Sequence, residues 1–250
     1  MSRAPAARLA YVTPSHQFPL GVTMTLARRL ELLAWAAGAG AWVLEDDYDS
    51  EYRYAGRPVA AMQGLDAAGR VISIGTFSKT MFPALRAAWL VVPPGLVDAF
   101  AAALRITGHG VGADVQAALA DFLGEGHFAA HVRRMRGLYA DRQARLVRAL
   151  RRRLDGVLAV APRDGGMQLP AFLPAGVDDV AASRGADAAG VTAVPLSAYH
   201  LAPPGRGGFF LGYAGVPARE ITAGVERLAR VLEPRRGGVV RRAMVSGSPR

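Results

Sequence analysis

Lys79 is the sole lysine of a 250-residue chain; the other twenty-nine of its thirty basic residues are arginine. An arginine stays protonated and is no nucleophile, whereas a lysine amine gives up its proton when desolvated and condenses with carbonyl carbons. Position 79 is thereby marked for Schiff-base chemistry. The plain alternative is a solvated loop lysine left over from an arginine-rich composition, and the neighbours weigh against it. Val71-Ile72-Ser73-Ile74-Gly75 is short, apolar and β-branched, the pattern of a buried strand, and it runs into Thr76-Phe77-Ser78-Lys79-Thr80. Lys79 then lies just past the carboxyl end of a strand, where open α/β sheets gather their ligands. Arg86 opens a second apolar run, Ala87 to Val92, read as another core strand closed by Pro93-Pro94. The hydroxyls of Thr76 and Ser78, one amine and one guanidinium within eleven residues suit a phosphorylated aldehyde.

The complementary acids lie upstream. Ala41-Trp42-Val43-Leu44 reads as a third buried strand and ends in Glu45-Asp46-Asp47-Tyr48-Asp49-Ser50-Glu51-Tyr52. Five carboxylates directly after a core strand need a cation or solvent to hold their charge. A solvated acidic loop fits the composition. A metal site fits it less well, because no histidine is near in sequence and the chain has no cysteine.

These stretches, together with Val12-Thr13-Pro14-Ser15-His16-Gln17-Phe18-Pro19-Leu20-Gly21 and Leu211-Gly212-Tyr213-Ala214, resemble the fold-type I pyridoxal-phosphate enzymes in order and spacing. The resemblance is closest to the MocR family, regulators that join a GntR-like winged helix to an aminotransferase-like domain, and it covers roughly residues 8 to 233. It implies pyridoxal 5'-phosphate as cofactor, with Lys79 carrying the Schiff base, Asp46 pairing with the ring nitrogen and Tyr48 reaching the ring hydroxyl. Thr76, Ser78 and Arg86 would hold the phosphate. Asp47, Asp49 and Glu51 are left to structural or solvent-facing roles. A carboxylate beside the ring nitrogen keeps that nitrogen protonated, the condition under which the ring withdraws electrons.

The fold expected is α/β: an incomplete fold-type I aminotransferase-like domain, its sheet mostly parallel with flanking helices, plus a small C-terminal α+β lobe. The resemblance implies that the winged helix and the first part of the cofactor domain have no counterpart in this chain. Residues 1–112 are expected to form the retained part of the large domain, 113–156 a helical connection broken at glycines 124, 126 and 137, 157–233 the small domain, and 234–250 a basic disordered tail. Strands are expected near Leu9, Trp42, Val71 and Ala87, and a crossover helix from Thr25 to Ala37 puts Leu26, Leu30, Leu33 and Ala34 on one face.

Composition narrows the class. The formal charge is +10, with nine arginines between Arg133 and Arg153 and five after Pro234. The first group accompanies Leu138, Leu146, Val147, Leu150 and Leu154 at helical spacing, the pattern of an amphipathic helix with a solvated basic face rather than a DNA-reading surface. DNA contact is expected only through a winged helix outside this chain. The longest apolar run, Leu32 to Leu44, is too short to cross a bilayer, and no signal-peptide segment opens the chain, so a cytoplasmic protein without membrane contact is expected. His109, His127, His131 and His200 are read as surface or packed residues, and no metal is expected.

The choice between enzyme and sensor falls on the small lobe. Aminotransferases of this type hold the substrate carboxylate with an arginine two residues before the position of Gly212, where this chain has Phe210. A phenyl ring cannot form the bidentate pair that orients a carboxylate. Arg206 is a substitute only if its loop folds back, while Gln168, Tyr199 and His200 are candidates for an effector pocket. The expectation is therefore an effector-sensing domain that exchanges an amine or amino-acid effector at Lys79 and forms a homodimer. A free-standing class I/II aminotransferase, or a fragment that binds no cofactor, is the alternative.

Overall fold

The computed structural model describes residues 6–56, 59–108, 110–202 and 205–233, so the basic tail expected at 234–250 and His109 lie outside the described residues. The chain divides into two compact units. The first comprises Met1–Gln143, Pro162–Leu169 and Gly212–Gly215, and the second Ala144–Ala161, Pro170–Leu211 and Val216–Arg250.

The first unit is built on β1 (Leu9–Val12), β2 (Trp42–Asp47), β3 (Val71–Thr76) and β4 (Ala88–Val91), side by side in that order. β1, β2 and β3 run parallel, with Val12 opposite Glu45 and Asp47 opposite Gly75. Parallel strands end on the same side of a sheet. The loops after Val12, Asp47 and Thr76 therefore leave from one edge, and that shared edge brings the lysine segment and the acidic segment together.

Between β1 and β2 runs α1 (Leu26–Ala39), whose first turn is capped by the Thr25 hydroxyl accepting from Arg28 N at 3.4 Å. Leu32, Leu33 and Ala36 form its buried face and pack with Val43, Val71 and Met62 of the short helix α2 (Met62–Leu65). This face differs from the one expected, since Leu26 and Leu30 are exposed.

β4 corrects a second expectation. Its apolar sequence was read as a core strand, but it pairs antiparallel with β3 at the edge of the sheet and all four of its residues are exposed. An apolar run reports burial only when both faces are covered, and an edge strand has one neighbour fewer. Its Trp89 lies across Gly75, where a Cβ would fall 2.1 Å from the indole Cζ2, so glycine alone fits opposite that ring.

A buried ion pair ties the strand ends. Glu45 and Arg29 are both fully buried, 4.0 Å apart. The Glu45 carboxylate accepts from Met62 N at 2.7 Å and Gln63 N at 2.9 Å, capping α2. Arg29 donates to the carbonyls of Met24 (3.1 Å), Ala60 (2.8 Å) and Pro14 (2.7 Å). Burial pushes the Arg29 pKa down, against the opposing charge of Glu45.

The chain continues through the single turn α3 (Phe77–Thr80), then α4 (Val97–Thr107), α5 (Ala113–Gly124) and α6 (His127–Leu154). Gly124 ends α5 and Gly126 adopts φ 80°, as expected of breaking glycines, but Gly137 lies inside α6 without interrupting it. A single glycine costs about 1 kcal/mol in a helix interior, and the rest of this long segment outweighs it.

In the second unit, Leu146, Val147, Leu150 and Leu154 of α6 are buried while Arg148, Arg151 and Arg152 face solvent. The second sheet has the order β5 (Ala159–Val160), β6 (Gln168–Phe172), β8 (Gly208–Gly212), β7 (Val194–Pro195). α7 (Asp179–Ala188) is capped by Asp178 and packs on α8 (Ala218–Leu232), which buries Ile221, Val225, Leu228, Ala229 and Leu232 along one stripe. Buried Asp179 accepts from Ser197 N, Ser197 Oγ and Gly208 N at 3.0, 2.6 and 3.0 Å. Burial pushes its carboxyl up, and these bonds outweigh burial so that its pKa is lowered.

Replacing Glu45 with alanine is expected to strand the Arg29 charge and free two N–H groups, at a cost of about 3–5 kcal/mol. Urea unfolding of Glu45→Ala beside the surface variant Glu31→Ala, expected to stay within about 0.5 kcal/mol of the parent, checks this. Equal stability of the two variants would refute a structural role for the pair.

Candidate functional site

The site starts from strand register. Asp46 stands opposite Ile74 and Asp47 opposite Gly75, so the last residues of β2 lie beside those that lead into Thr76. The Asp46 carboxylate is half-buried and accepts a hydrogen bond from the Tyr11 hydroxyl through Oδ2. That bond, then burial and the Asp46 charge, push the Tyr11 phenol up to about 12. Tyr11 was not singled out in the sequence. Its one signal is the alternation of β1, which turns Ala10 and Val12 toward the core and Tyr11 to the other face.

Tyr48 follows the end of β2. Its hydroxyl donates to the His16 carbonyl at 2.7 Å and lies 3.3 Å from His16 Nδ1. Burial first, then the charge of Asp49, raises the Tyr48 pKa, so the phenol keeps its proton. Of the remaining acids, Asp47 accepts from Ser50 N at 3.3 Å and Ser50 Oγ at 2.6 Å and shapes the turn. Asp49 is 2% exposed and sits 2.8 Å from His16 Nδ1, so its structural role is a buried one and not a solvated one. Burial raises the pKa of Glu51.

β3 delivers the lysine through one helical turn, α3 (Phe77–Thr80). Thr76 caps it, with Oγ1 accepting from Ser78 N at 3.1 Å and donating to Ala87 O at 3.3 Å. The second distance is long for a hydroxyl donor, so this hydrogen turns to another acceptor at little cost. The Lys79 and Arg86 side chains are exposed, and neither makes a side-chain hydrogen bond or ion pair among the described residues, while Arg86 N donates to Pro83 O at 3.4 Å. Arg86 holds φ 51°, the left-handed region, which is uncommon for a side-chain-bearing residue. No hydrogen bond or ion pair joins Lys79 to Asp46 or Tyr48 among the described residues, although its charge is felt at Asp49.

This donor set fits pyridoxal phosphate in kind. It offers an amine for the aldehyde, a carboxylate with one oxygen left for the ring nitrogen, and a phenol for the ring hydroxyl. Two hydroxyls and a guanidinium are left for the phosphate.

A separate cavity of about 690 Å³ opens in the same unit, lined by Ser15, Asp49, Glu51, Arg53, Arg136 and Arg163 among others and not by Lys79, Asp46 or Tyr48. Tyr54 and Tyr213, in the same unit, both donate to Gly166 O, and Gln143 Nε2 donates to Tyr213 at 2.9 Å.

In the second unit Phe210 sits edge-on to Tyr199, ring centroids 6.3 Å apart. Arg206 is committed elsewhere: it donates to Leu173 O at 2.6 Å and Phe172 O at 3.4 Å and lies over the Phe172 ring. His200 Nδ1 lies 2.9 Å from Leu196 O, His131 Nε2 lies 3.0 Å from Thr80 O, and His127 pairs with Glu125 at 3.0 Å. Gln168 is half-buried at the start of β6. The described residues include no cluster of three or more metal-ligating side chains, and no described helix is long and apolar enough to cross a membrane.

The Tyr11–Asp46 bond has a measurable consequence. With the carboxylate in place the Tyr11 phenol titrates near 12, and in Asp46→Asn it is expected to fall back toward 10. Tyrosine ring-carbon NMR across alkaline pH follows this directly, and an unchanged Tyr11 midpoint in Asp46→Asn would contradict the contact.

A family model for aminotransferase class I and II matches residues 3–228. The probable rhizopine catabolism regulatory protein MocR of Rhizobium meliloti is 49% identical over 224 residues, which are 90% of this chain and 45% of that protein. The aromatic-amino-acid aminotransferase 1 of Thermococcus litoralis is 31% identical over 227 residues, 90% of this chain and 54% of that protein. Among solved structures, a kynurenine aminotransferase of Pyrococcus horikoshii in complex with PMP superposes with a TM-score of 0.83 at 30% identity, over 91% of this chain and 56% of that one. The chain thus spans about half the length of the curated relatives it matches. The family match and these neighbours imply pyridoxal 5'-phosphate as the cofactor, and on their strength, with the strand-end geometry, the chain belongs to the aminotransferase class I and II family.

Proposed function

We propose that this chain is the cofactor-binding, effector-sensing part of a MocR-like regulator, in which an amine or amino-acid effector exchanges at Lys79. Pyridoxal phosphate, bound there as a Schiff base, would supply an aldehyde carbon open to amine exchange and an electron-withdrawing ring. Asp46 would hold a proton at the ring nitrogen with the oxygen that Tyr11 leaves free. Tyr48 would meet the ring hydroxyl, while Ser78, Arg86 and the Thr76 hydroxyl would bind the phosphate.

The observation that carries the sensor reading is Phe210. It stands where aminotransferases of this type place the carboxylate-binding arginine, and Arg206, the nearest alternative, is tied to two backbone carbonyls. Without a charge-assisted fork a substrate carboxylate is not fixed, and the Cα–H bond is not held for removal. That loss is worth about 1.5–3 kcal/mol, or roughly ten- to a hundredfold in turnover. A sensor tolerates it, because sensing requires only exchange at Lys79 and unequal affinity for two states. Pairing with a second copy and a cytoplasmic setting belong to the same proposal. DNA contact is assigned to a helix-turn-helix domain of the whole regulator rather than to these residues.

The test gives the cofactor-loaded chain a panel of amino acids and amines, following its visible spectrum while keto-acid product is measured in parallel. Spectral exchange is expected to be fast and product scarce, with Phe210→Arg raising turnover and Asp46→Asn suppressing reactivity far more than Asp47→Asn. Sustained turnover of an ordinary amino-acid and keto-acid pair by the parent chain would favour the free-standing aminotransferase.

A further inference from the structure

His16 and Asp49 are thirty-three positions apart in sequence and meet in the interior at 2.8 Å, with 8% and 2% of their surfaces exposed. Burying a carboxylate and an imidazole together is costly unless their geometry is fixed by something else. Here the ring is clamped. A Cβ on Gly21 or on Gly166 would fall 2.7 Å from His16 Nε2, so both backbones press on the imidazole where no side chain fits. Among the described residues His16 Nε2 and Asp49 Oδ1 have no hydrogen-bond partner, and the bond between Nδ1 and Oδ2 is the shortest polar contact of either side chain.

The same histidine accepts the Tyr48 hydroxyl at its carbonyl, 2.7 Å away, and its Nδ1 lies 3.3 Å from that hydroxyl oxygen. An ionised Asp49 requires the imidazole hydrogen on Nδ1, so that nitrogen donates to Asp49 and cannot accept from the phenol. The phenol hydrogen is then directed to the His16 carbonyl.

We infer that His16 and Asp49 form one positioning unit for Tyr48: the carboxylate fixes the imidazole and its tautomer, and the fixed histidine sets the place and hydrogen direction of the Tyr48 hydroxyl. This rests on the proposed reading of Tyr48 as a cofactor residue. The charged and titratable groups that act on the unit are Asp46, Asp47 and Tyr11 around Tyr48, and Asp47 and Lys79 around Asp49. The Asp49 charge acts on the Tyr48 phenol, and Asp49 in turn feels the charge of Lys79.

Two readouts separate positioning from mere packing. In the chain without cofactor, the Tyr48 ring-carbon NMR signal, identified by Tyr48→Phe, is expected to move in His16→Gln and in Asp49→Asn. The double variant should move it no further than either single one, because the two residues act together. The exposed-surface variant Glu31→Gln should leave it in place. In the cofactor-loaded chain, the midpoint of the visible band against pH is expected to shift by about one unit in the same variants. Should either variant fail to fold, imidazole nitrogen NMR of the parent chain decides: the Nδ1–H tautomer of His16 supports the unit, and the Nε2–H tautomer overturns it. A Tyr48 signal and band midpoint unchanged in folded variants would also overturn it. A moved Tyr48 signal with no visible band in any sample would support the unit while overturning the cofactor reading.

Discussion

The first unit depends on a charge pair that its core would exclude if either partner stood alone. Arg29 and Glu45 are fully buried, and each is held by backbone groups drawn from several segments: Pro14, Met24 and Ala60 on one side, Met62 and Gln63 on the other. These segments are the loop after β1, the start of α1 and the approach to α2. The pair therefore sets the path of the chain on leaving β1 and after β2. Glu45 directly precedes Asp46, so the residue locked into the interior fixes the strand position of the residue that faces the site.

From that anchor the site is assembled by register. Three parallel strands end on one side, and each contributes its next residues: the loop with His16, the acidic segment with Asp46 and Tyr48, and the turn with Lys79. The acids are divided by burial rather than by type. Glu45 is spent on the frame, Asp47 on a turn and Asp49 on His16, while half-buried Asp46 takes the Tyr11 hydroxyl through one oxygen and burial raises the pKa of Glu51. A run of like charges takes on different roles because each member lands in a different environment.

Much of this was legible in the sequence. The apolar runs at Trp42 and Val71 and the crossover helix between the first two strands are local patterns, and the uniqueness of Lys79 needs no structure at all. What stayed hidden is long-range. Nothing near Glu45 in sequence announces Arg29 or the N–H groups of α2. The histidine that Asp49 meets arrives from thirty-three residues upstream, and for that reason the sequence left Asp49 between a structural and a solvent-facing role. Tyr11 was masked by the apolar residues on either side of it. β4 misled because edge position is a property of the sheet and not of the strand, and Gly137 because helix continuity is set by the whole segment.

Lys79 follows the end of β3, beside the acidic end of β2, and the proposed Schiff base at its amine is the claim on which the cofactor-binding reading rests. The most direct test is to mix the chain with pyridoxal phosphate, reduce with borohydride and map the modified peptide. The account predicts the label on Lys79, with Lys79→Ala unlabelled apart from any reaction at the terminal amine. Labelling confined to the terminal amine, or absent from the peptide that carries Lys79, would contradict it.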